Sequence, residues 1–311
     1  MTIILLSLIK CNHSDFSADI RIVSNIDHIV IRTNSIAEID QINTLFKDTL
    51  DFPEWFELRI NEKVNEPVCK FYNSGVYLGN VFLEFITFKT EDNEQKPRGA
   101  DLYAISLVSD MDNLFGKITN EEIEKFPKHY FDHLVVKNSG NSIDTLFTNV
   151  ILENFTTENI LFFFTRYHPG AMKNRNSDSH RLNQEPNDLD QYCKEFKSRF
   201  NKCHGGNLGV IGVKELQILT PKFKKHLKLY HRIFSSEIEK EEGYWKFKQG
   251  PAIRLEKGDV YKVGKMVVEV QSLPKAAEFL KAHNLLGETT ERSMLMATDS
   301  KFDLKIEIVE K

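Results

Sequence analysis

Cysteine is scarce in this chain: Cys11, Cys69, Cys193 and Cys203 are the four among 311 residues. They form no C-x-x-C pair, and they are too few for a disulfide framework. Cys193 and Cys203 are near enough in sequence to pair. Scattered free thiols in a reducing compartment are the reading adopted, and they imply a cytoplasmic protein. An excess of one charge is also missing. Forty-one basic residues face 45 acidic ones, for a formal net charge of −4, so nucleic acid is not an expected partner. No G-x-S-x-G and no P-loop occurs, which removes the nucleophile-elbow and phosphate-cradle classes.

A membrane-length apolar run is absent too. In "MTIILLSLIKC" the stretch from Ile3 to Ile9 is far too short to span a bilayer. A secretory signal needs a positive start and a small residue before the cut, whereas Thr2 and Lys10 stand there. An envelope lipoprotein anchored through Cys11 is the alternative to the cytoplasmic reading. Residues 1–24 are read as an N-terminal extension.

What the chain does have is length for two domains, with 41% hydrophobic and 28% charged residues. It also has a repeated grammar. The strand "NIDHIVIRT" is followed by "SIAEIDQINTLFKDTL", where Ser35 and Glu38 make a capping box. Ile36, Ile39, Ile42, Phe46 and Leu50 fall on one helical face, and Asp51-Phe52-Pro53 ends the run. The same order recurs from Leu102, with a cap at Ser109 or Asp110. It recurs from Val213, with Thr220 as cap and Pro221 at the first helical position, and from Lys265, with Ser272 and Pro274 opening the helix. Short strand-like runs follow each helix. The segment Lys173 to Asp190 is polar and reads as a linker, and a short helix is expected around Tyr192, Phe196 and Phe200.

Four βαβββ modules fused in pairs resemble the vicinal oxygen chelate superfamily of glyoxalases, extradiol dioxygenases and bleomycin-resistance proteins. "IDHIVIRT" resembles the first strand of such a module, and "NTLFKDTLDFPEWFEL" its helix and the turn after it. "GVYLGNVFLEFITF", with Gly79, Asn80, Leu83 and Glu84, resembles the closing strands of the glyoxalase-like domain subgroup. "ILFFFTRYHPG" resembles that subgroup's last strand. The resemblance implies an α+β fold in which four βαβββ-type modules pair into two cup-shaped mixed β-sheet domains with flanking helices. The expected boundaries are 25–170 for the first domain, 171–206 for the linker and 207–311 for the second domain. Small molecules with adjacent oxygens would bind in a cup. Two modules fused in one chain need no dimerisation to close it, and the oligomeric state is left open.

Strand alternation puts His28 on one face with Ile26 and Val30. Glu84 shares a face with Phe82, Ile86 and Phe88, and the opposite face is apolar as well. A buried carboxylate requires a partner, since even a neutral polar group without one costs on the order of 2–7 kcal/mol. His28, an arginine, a bound ligand or a metal ion can be that partner. In one reading His28 and Glu84 are ligands of a divalent metal, for which imidazole plus carboxylate suits Fe, Mn, Ni or Zn, and Glu84 is catalytic. In the other they form a metal-free hydrogen-bonded pair. The partner module's strands "DLYAISLV" and "ILFFFTRY" supply neither the second histidine of an extradiol dioxygenase nor the further acid of a glyoxalase.

Asn80, Arg166, Tyr167 and His168 are candidate substrate-binding residues, Arg166 through its planar fork to a carboxylate. "FDHLVV" around His133 echoes "IDHIVI" on what should be an internal strand. His226 and His231 are five residues apart on a helix, about 140° round its axis, and cannot share a metal. The expected function is that of a glyoxalase-like protein acting on, or binding, a small oxygenated metabolite, by lyase, isomerase or dioxygenase chemistry. The alternative is a metal-free sequestering protein of the bleomycin-resistance kind.

Overall fold

The computed structural model describes residues 25–64, 69–89, 101–108, 128–137, 143–153, 160–168, 203–234, 242–247, 250–298 and 304–311. The N-terminal extension with Cys11, the helix expected after Ser109, the stretch 171–202 and the helix expected around Phe196 lie outside these residues.

The first module runs β1 (Asn25–Arg32), α1 (Ile36–Asn43), β2 (Glu54–Lys63), β3 (Cys69–Leu78) and β4 (Val81–Lys89). The second supplies β5 (Asp101–Val108), β6 (His129–Lys137), β7 (Ile143–Leu152) and β8 (Leu161–Tyr167). The third runs β9 (Val210–Thr220), α2 (Phe223–Ile233), β10 (Tyr244–Trp245) and β11 (Ala252–Lys257). The fourth runs β12 (Lys262–Val270), α3 (Leu273–Ala282), β13 (Leu286–Thr289), β14 (Ser293–Met296) and β15 (Lys305–Glu310). In each module the first and last strands pair in parallel, and the first strands of paired modules lie antiparallel. None of the described helices is long and apolar enough to cross a membrane.

The first pair closes into a barrel of order β1-β4-β3-β2-β6-β7-β8-β5. Closure is made at one point, where Lys63 pairs with Val136 and the Val64 N–H donates to the Val135 carbonyl at 3.0 Å. The second pair stays an open sheet of order β10-β11-β9-β12-β15-β14-β13. Among the described residues its third module has two strands after the helix, and β10, two residues long, does not pair with β13.

The capping box forms in altered shape. Ser35 Oγ accepts from the Glu38 N–H at 3.2 Å, but the Glu38 carboxylate reaches back to the N–H and side chain of Asn34. The predicted helix does not run evenly to Leu50. Residues Thr44–Thr49 widen into a π-helical turn closed by Leu50 N–H to the Leu45 carbonyl, and Asp51 ends it at φ 57°. Thr220 does not cap α2. Its hydroxyl accepts from the Lys222 N–H and shares a hydrogen bond with His226 Nδ1, 2.7 Å away. His226 is buried and its ring lies 4.3 Å from that of Tyr261.

Burial first, then Lys225 and Lys222, lower the His226 pKa below that of a free imidazole. The folded state therefore takes up this proton less readily than the unfolded chain. Its contribution is present above the unfolded value near 6.5 and is lost as pH falls below it. Thermal melts at pH 7.5 and 5.0 should show a drop that is smaller in His226→Gln; an equal drop in both would remove His226 as a cause.

One apolar core joins α1, α2, α3 and faces of both sheets, with Phe162 of β8 edge-on to Tyr230 of α2 at 5.6 Å. The two sheets also meet at the β3–β4 turn. There Asn80 Nδ2 donates to the Val213 carbonyl at 3.0 Å, and the Val213 N–H donates to Asn80 Oδ1 at 2.8 Å. A second, smaller cluster lies inside the barrel: Val30, Phe71, Ile86, Leu134, Ile151 and Phe163. Each of these keeps 5 to 8% of its surface accessible, so this inner face is not sealed off completely.

Candidate functional site

The barrel lumen brings together residues from both modules. Val30 of β1 is opposite Glu84 of β4, and His28 is opposite Phe82. His28 and Glu84 therefore lie on one diagonal, and His28 Nε2 is 3.4 Å from Glu84 Oε2. Asn73 of β3 donates Nδ2–H to Glu84 Oε1 at 2.6 Å. Glu84 is thus held on both oxygens, with 15% of its side chain exposed. Phe163 of β8 stands edge-on to the His28 ring at 5.9 Å. Ile26 was expected on the His28 face. A register irregularity between Ile26 and Ile29 turns it into the larger core instead.

The same diagonal occurs in two other modules. Glu215 pairs with Ala252, and two residues on Arg254 donates Nε–H to Glu215 at 3.0 Å. Lys265 pairs with Lys305, and two residues on Glu307 meets Lys265 at 2.7 Å. Burial would raise the Glu307 pKa, but hydrogen bonds from Lys265 and Ser293 outweigh it and hold the carboxyl below its usual range. In the second module Ala104 pairs with Leu161, so the equivalent diagonal runs from Ala104 to Phe163. The first module alone carries an imidazole on the diagonal. In the open sheet the equivalent places are occupied by ion pairs, and Arg254 also lies over the Tyr244 ring at 4.6 Å.

The donor set bears on the metal. Catalytic zinc and the non-haem iron facial triad use three protein ligands. Here the diagonal offers His28 and Glu84. Ala104 and Phe163 stand where the partner module would complete the set. No group of three or more His, Cys, Asp or Glu side chains that could hold a metal occurs among the described residues. Among the described residues the donor set stops at two, one short of the three that a resident catalytic metal uses.

The remaining predicted site residues are placed elsewhere. Asn80 is engaged with Val213 between the sheets. Arg166 and His168 lie on the outside of the barrel wall, because Thr148 and Arg166 face each other on the side opposite to Ile151 and Phe163. On that outer face Thr148 Oγ1 bridges His133 Nδ1, 2.8 Å away, and His168 Nε2, 3.0 Å away. Burial, then the charges of Arg166 and His133, lower the His168 pKa. Tyr167 is registered opposite Phe147, and its side chain is outside the described ones. Sequence reasoning passed over Asn73, Asn149 and Thr165. Each has a polar residue beside it, Ser74, Thr148 and Arg166, and so does not stand out from its strand as Glu84 does.

No family model matches the chain, and no curated protein is found to be similar to it. Similarity to solved structures is clear at the level of fold. A 4-hydroxymandelate synthase mutant from Streptomyces coelicolor superposes with a TM-score of 0.55 at 10% identity, over 93% of this chain and 92% of that one. An extradiol ring-cleaving dioxygenase from B. fuscum gives 0.53 at 9% identity, over 95% and 74%. A hypothetical protein from Staphylococcus aureus gives 0.55 at 9% identity, over 92% and 99%. The chain has the vicinal oxygen chelate fold.

Proposed function

We propose that the barrel of the first module pair binds a small oxygenated molecule, that Glu84 and His28 are its polar recognition groups, and that binding needs no resident metal. The observation that carries this reading is the polar chain Asn73–Glu84–His28, its histidine buried and the other two half-buried, on the inner face of the barrel. Asn73 orients the carboxylate, which leaves it able to accept a ligand hydroxyl beside the imidazole. The apolar wall would hold the ligand body. Most of the many phenylalanines are core and support no reading of their own.

Two measurements test this. Thermal-shift screening with small hydroxylated and carbonyl compounds should find a ligand without added metal, and Glu84→Gln should lose that shift. Elemental analysis of untagged protein should find Fe, Mn, Ni and Zn well below one per chain, and adding each should leave the melting temperature unchanged. Stoichiometric metal that disappears in His28→Ala would overturn the metal-free reading.

The 3.4 Å contact also favours a second reading, proton transfer of the isomerase or lyase kind. One group would take a proton from carbon beside a carbonyl and the other would return it. Deuterium uptake into a bound ketone, absent in Glu84→Gln, would support that chemistry; no uptake by the wild type would remove it.

A further inference from the structure

Away from the barrel, the start of α2 and the turn after β11 enclose a cleft of about 510 Å³. Lysines reach it from both walls: Lys222, Lys224 and Lys225 at the start of α2, and Lys257 at the end of β11. Asp259 is the single acid that lines it. All four lysines are exposed, and none makes an ion pair among the described residues. The first turn of α2 carries no acid to offset them. Lysines elsewhere on the same sheet are matched, Lys214 by Glu269 at 3.2 Å and Lys265 by Glu307 at 2.7 Å.

Unmatched like charges repel, and Lys222 and Lys225 are neighbours at a spacing of three on the helix. Their field reaches the interior. His226 is 7% exposed and is bonded to Thr220, which forms part of the cleft wall. Burial, then Lys225 and Lys222, lower its pKa. A chain with a formal charge of −4 thus concentrates positive charge round one hollow, and an anion seated there would relieve the repulsion.

The donors and the shape restrict the anion. A planar carboxylate is matched best by the fork of an arginine, and the cleft has none; ammonium groups act as point charges and suit phosphate oxygens. The volume is that of a small-molecule pocket. A nucleic acid would need a basic track, whereas Glu215, Glu269 and Glu307 interrupt the charge of the adjoining sheet.

We propose that this cleft is a second binding site, in which Lys222, Lys224, Lys225 and Lys257 hold the diphosphate group of a soluble small molecule. The site is independent of the barrel and of what the barrel binds.

Titration calorimetry with inorganic pyrophosphate at constant ionic strength tests it. The wild type should bind saturably. The double variant Lys222→Gln, Lys225→Gln should weaken binding by roughly tenfold or more, as the loss of hydrogen bonds to a charged group does. Lys257→Gln, on the opposite wall, should weaken it as well. Lys228→Gln removes a charge from the same helix outside the cleft and should change affinity by less than about twofold, since solvent and salt screen it. These side chains are exposed, so the variants should fold. Imidazole NMR gives a second readout: pyrophosphate should shift the His226 resonance in the wild type and in Lys228→Gln, and not in the double variant. The inference is overturned if pyrophosphate does not bind saturably, if Lys228→Gln weakens it as much as the double variant does, or if citrate binds more tightly. Sedimentation of the wild type with phosphatidylglycerol vesicles that pyrophosphate cannot release would assign the lysines to a membrane surface and overturn it too.

Discussion

Gly79→Ala should lower the stability of the protein by roughly 3 kcal/mol, the sum of a left-handed backbone penalty and an unrelieved clash. Gly79 sits at φ +63°, and an added Cβ would lie 2.4 Å from the Ile211 carbonyl oxygen and 2.5 Å from Gly212 Cα. Both obstacles are backbone of β9, so relief requires the β3–β4 turn to leave the second sheet. That movement would also pull Asn80 from its two bonds to Val213. Gly209 supplies the control. It has the same φ of +63°, but the nearest atom to an added Cβ is 3.8 Å away. Gly209→Ala should lose about 1 kcal/mol from the backbone alone. Urea unfolding of the two variants measures the difference. Equal losses would mean that the turn does not rest on β9.

Glu84→Gln should reduce ligand affinity in the barrel by tenfold or more with little loss of fold, whereas Glu84→Leu should harm both. Gln keeps an oxygen to accept from Asn73 Nδ2, so the 2.6 Å bond can persist. It removes the acceptor facing His28 and any ligand hydroxyl, and hydrogen bonds to charged groups are worth about 1.5–3 kcal/mol. Leu leaves the Asn73 amide and the His28 ring to find new partners inside a barrel lined by Val30, Ile86 and Phe163. Calorimetry with any screening hit, paired with urea unfolding of both variants, separates the effects. Unchanged affinity in Glu84→Gln would move the binding site away from this carboxylate.

Much of this arrangement is legible in the residues. Strand alternation groups His28 and Glu84 each with the apolar residues of one face, and the resemblance to the vicinal oxygen chelate superfamily implies that their strands meet. The structure joins them on one diagonal at 3.4 Å. Other features follow from contacts between distant strands and leave no local mark. Asn80 looks like part of a site motif, yet its amide is taken up by Val213, 133 residues away. Arg166 and His168 end a strand whose lumen face belongs to Phe163 and Thr165. The one-residue step that turns them outward is fixed by pairing with β7, not by composition. Thr220 has a cap's chemistry, but His226 in the first turn of α2, four residues beyond Lys222, engages its hydroxyl instead. The ion pairs Glu215–Arg254 and Lys265–Glu307 are individually unremarkable charged residues on strands; the shared diagonal becomes visible only with the register known.

The most direct test of the binding site is NMR of the His28 ring. With imidazole carbons labelled and the His28 resonance assigned by its absence in His28→Gln, a screening ligand should shift that resonance in the wild type. The shift should not occur in Glu84→Gln at the same ligand concentration. A ligand that binds the wild type tightly while leaving the His28 resonance unmoved would contradict the account.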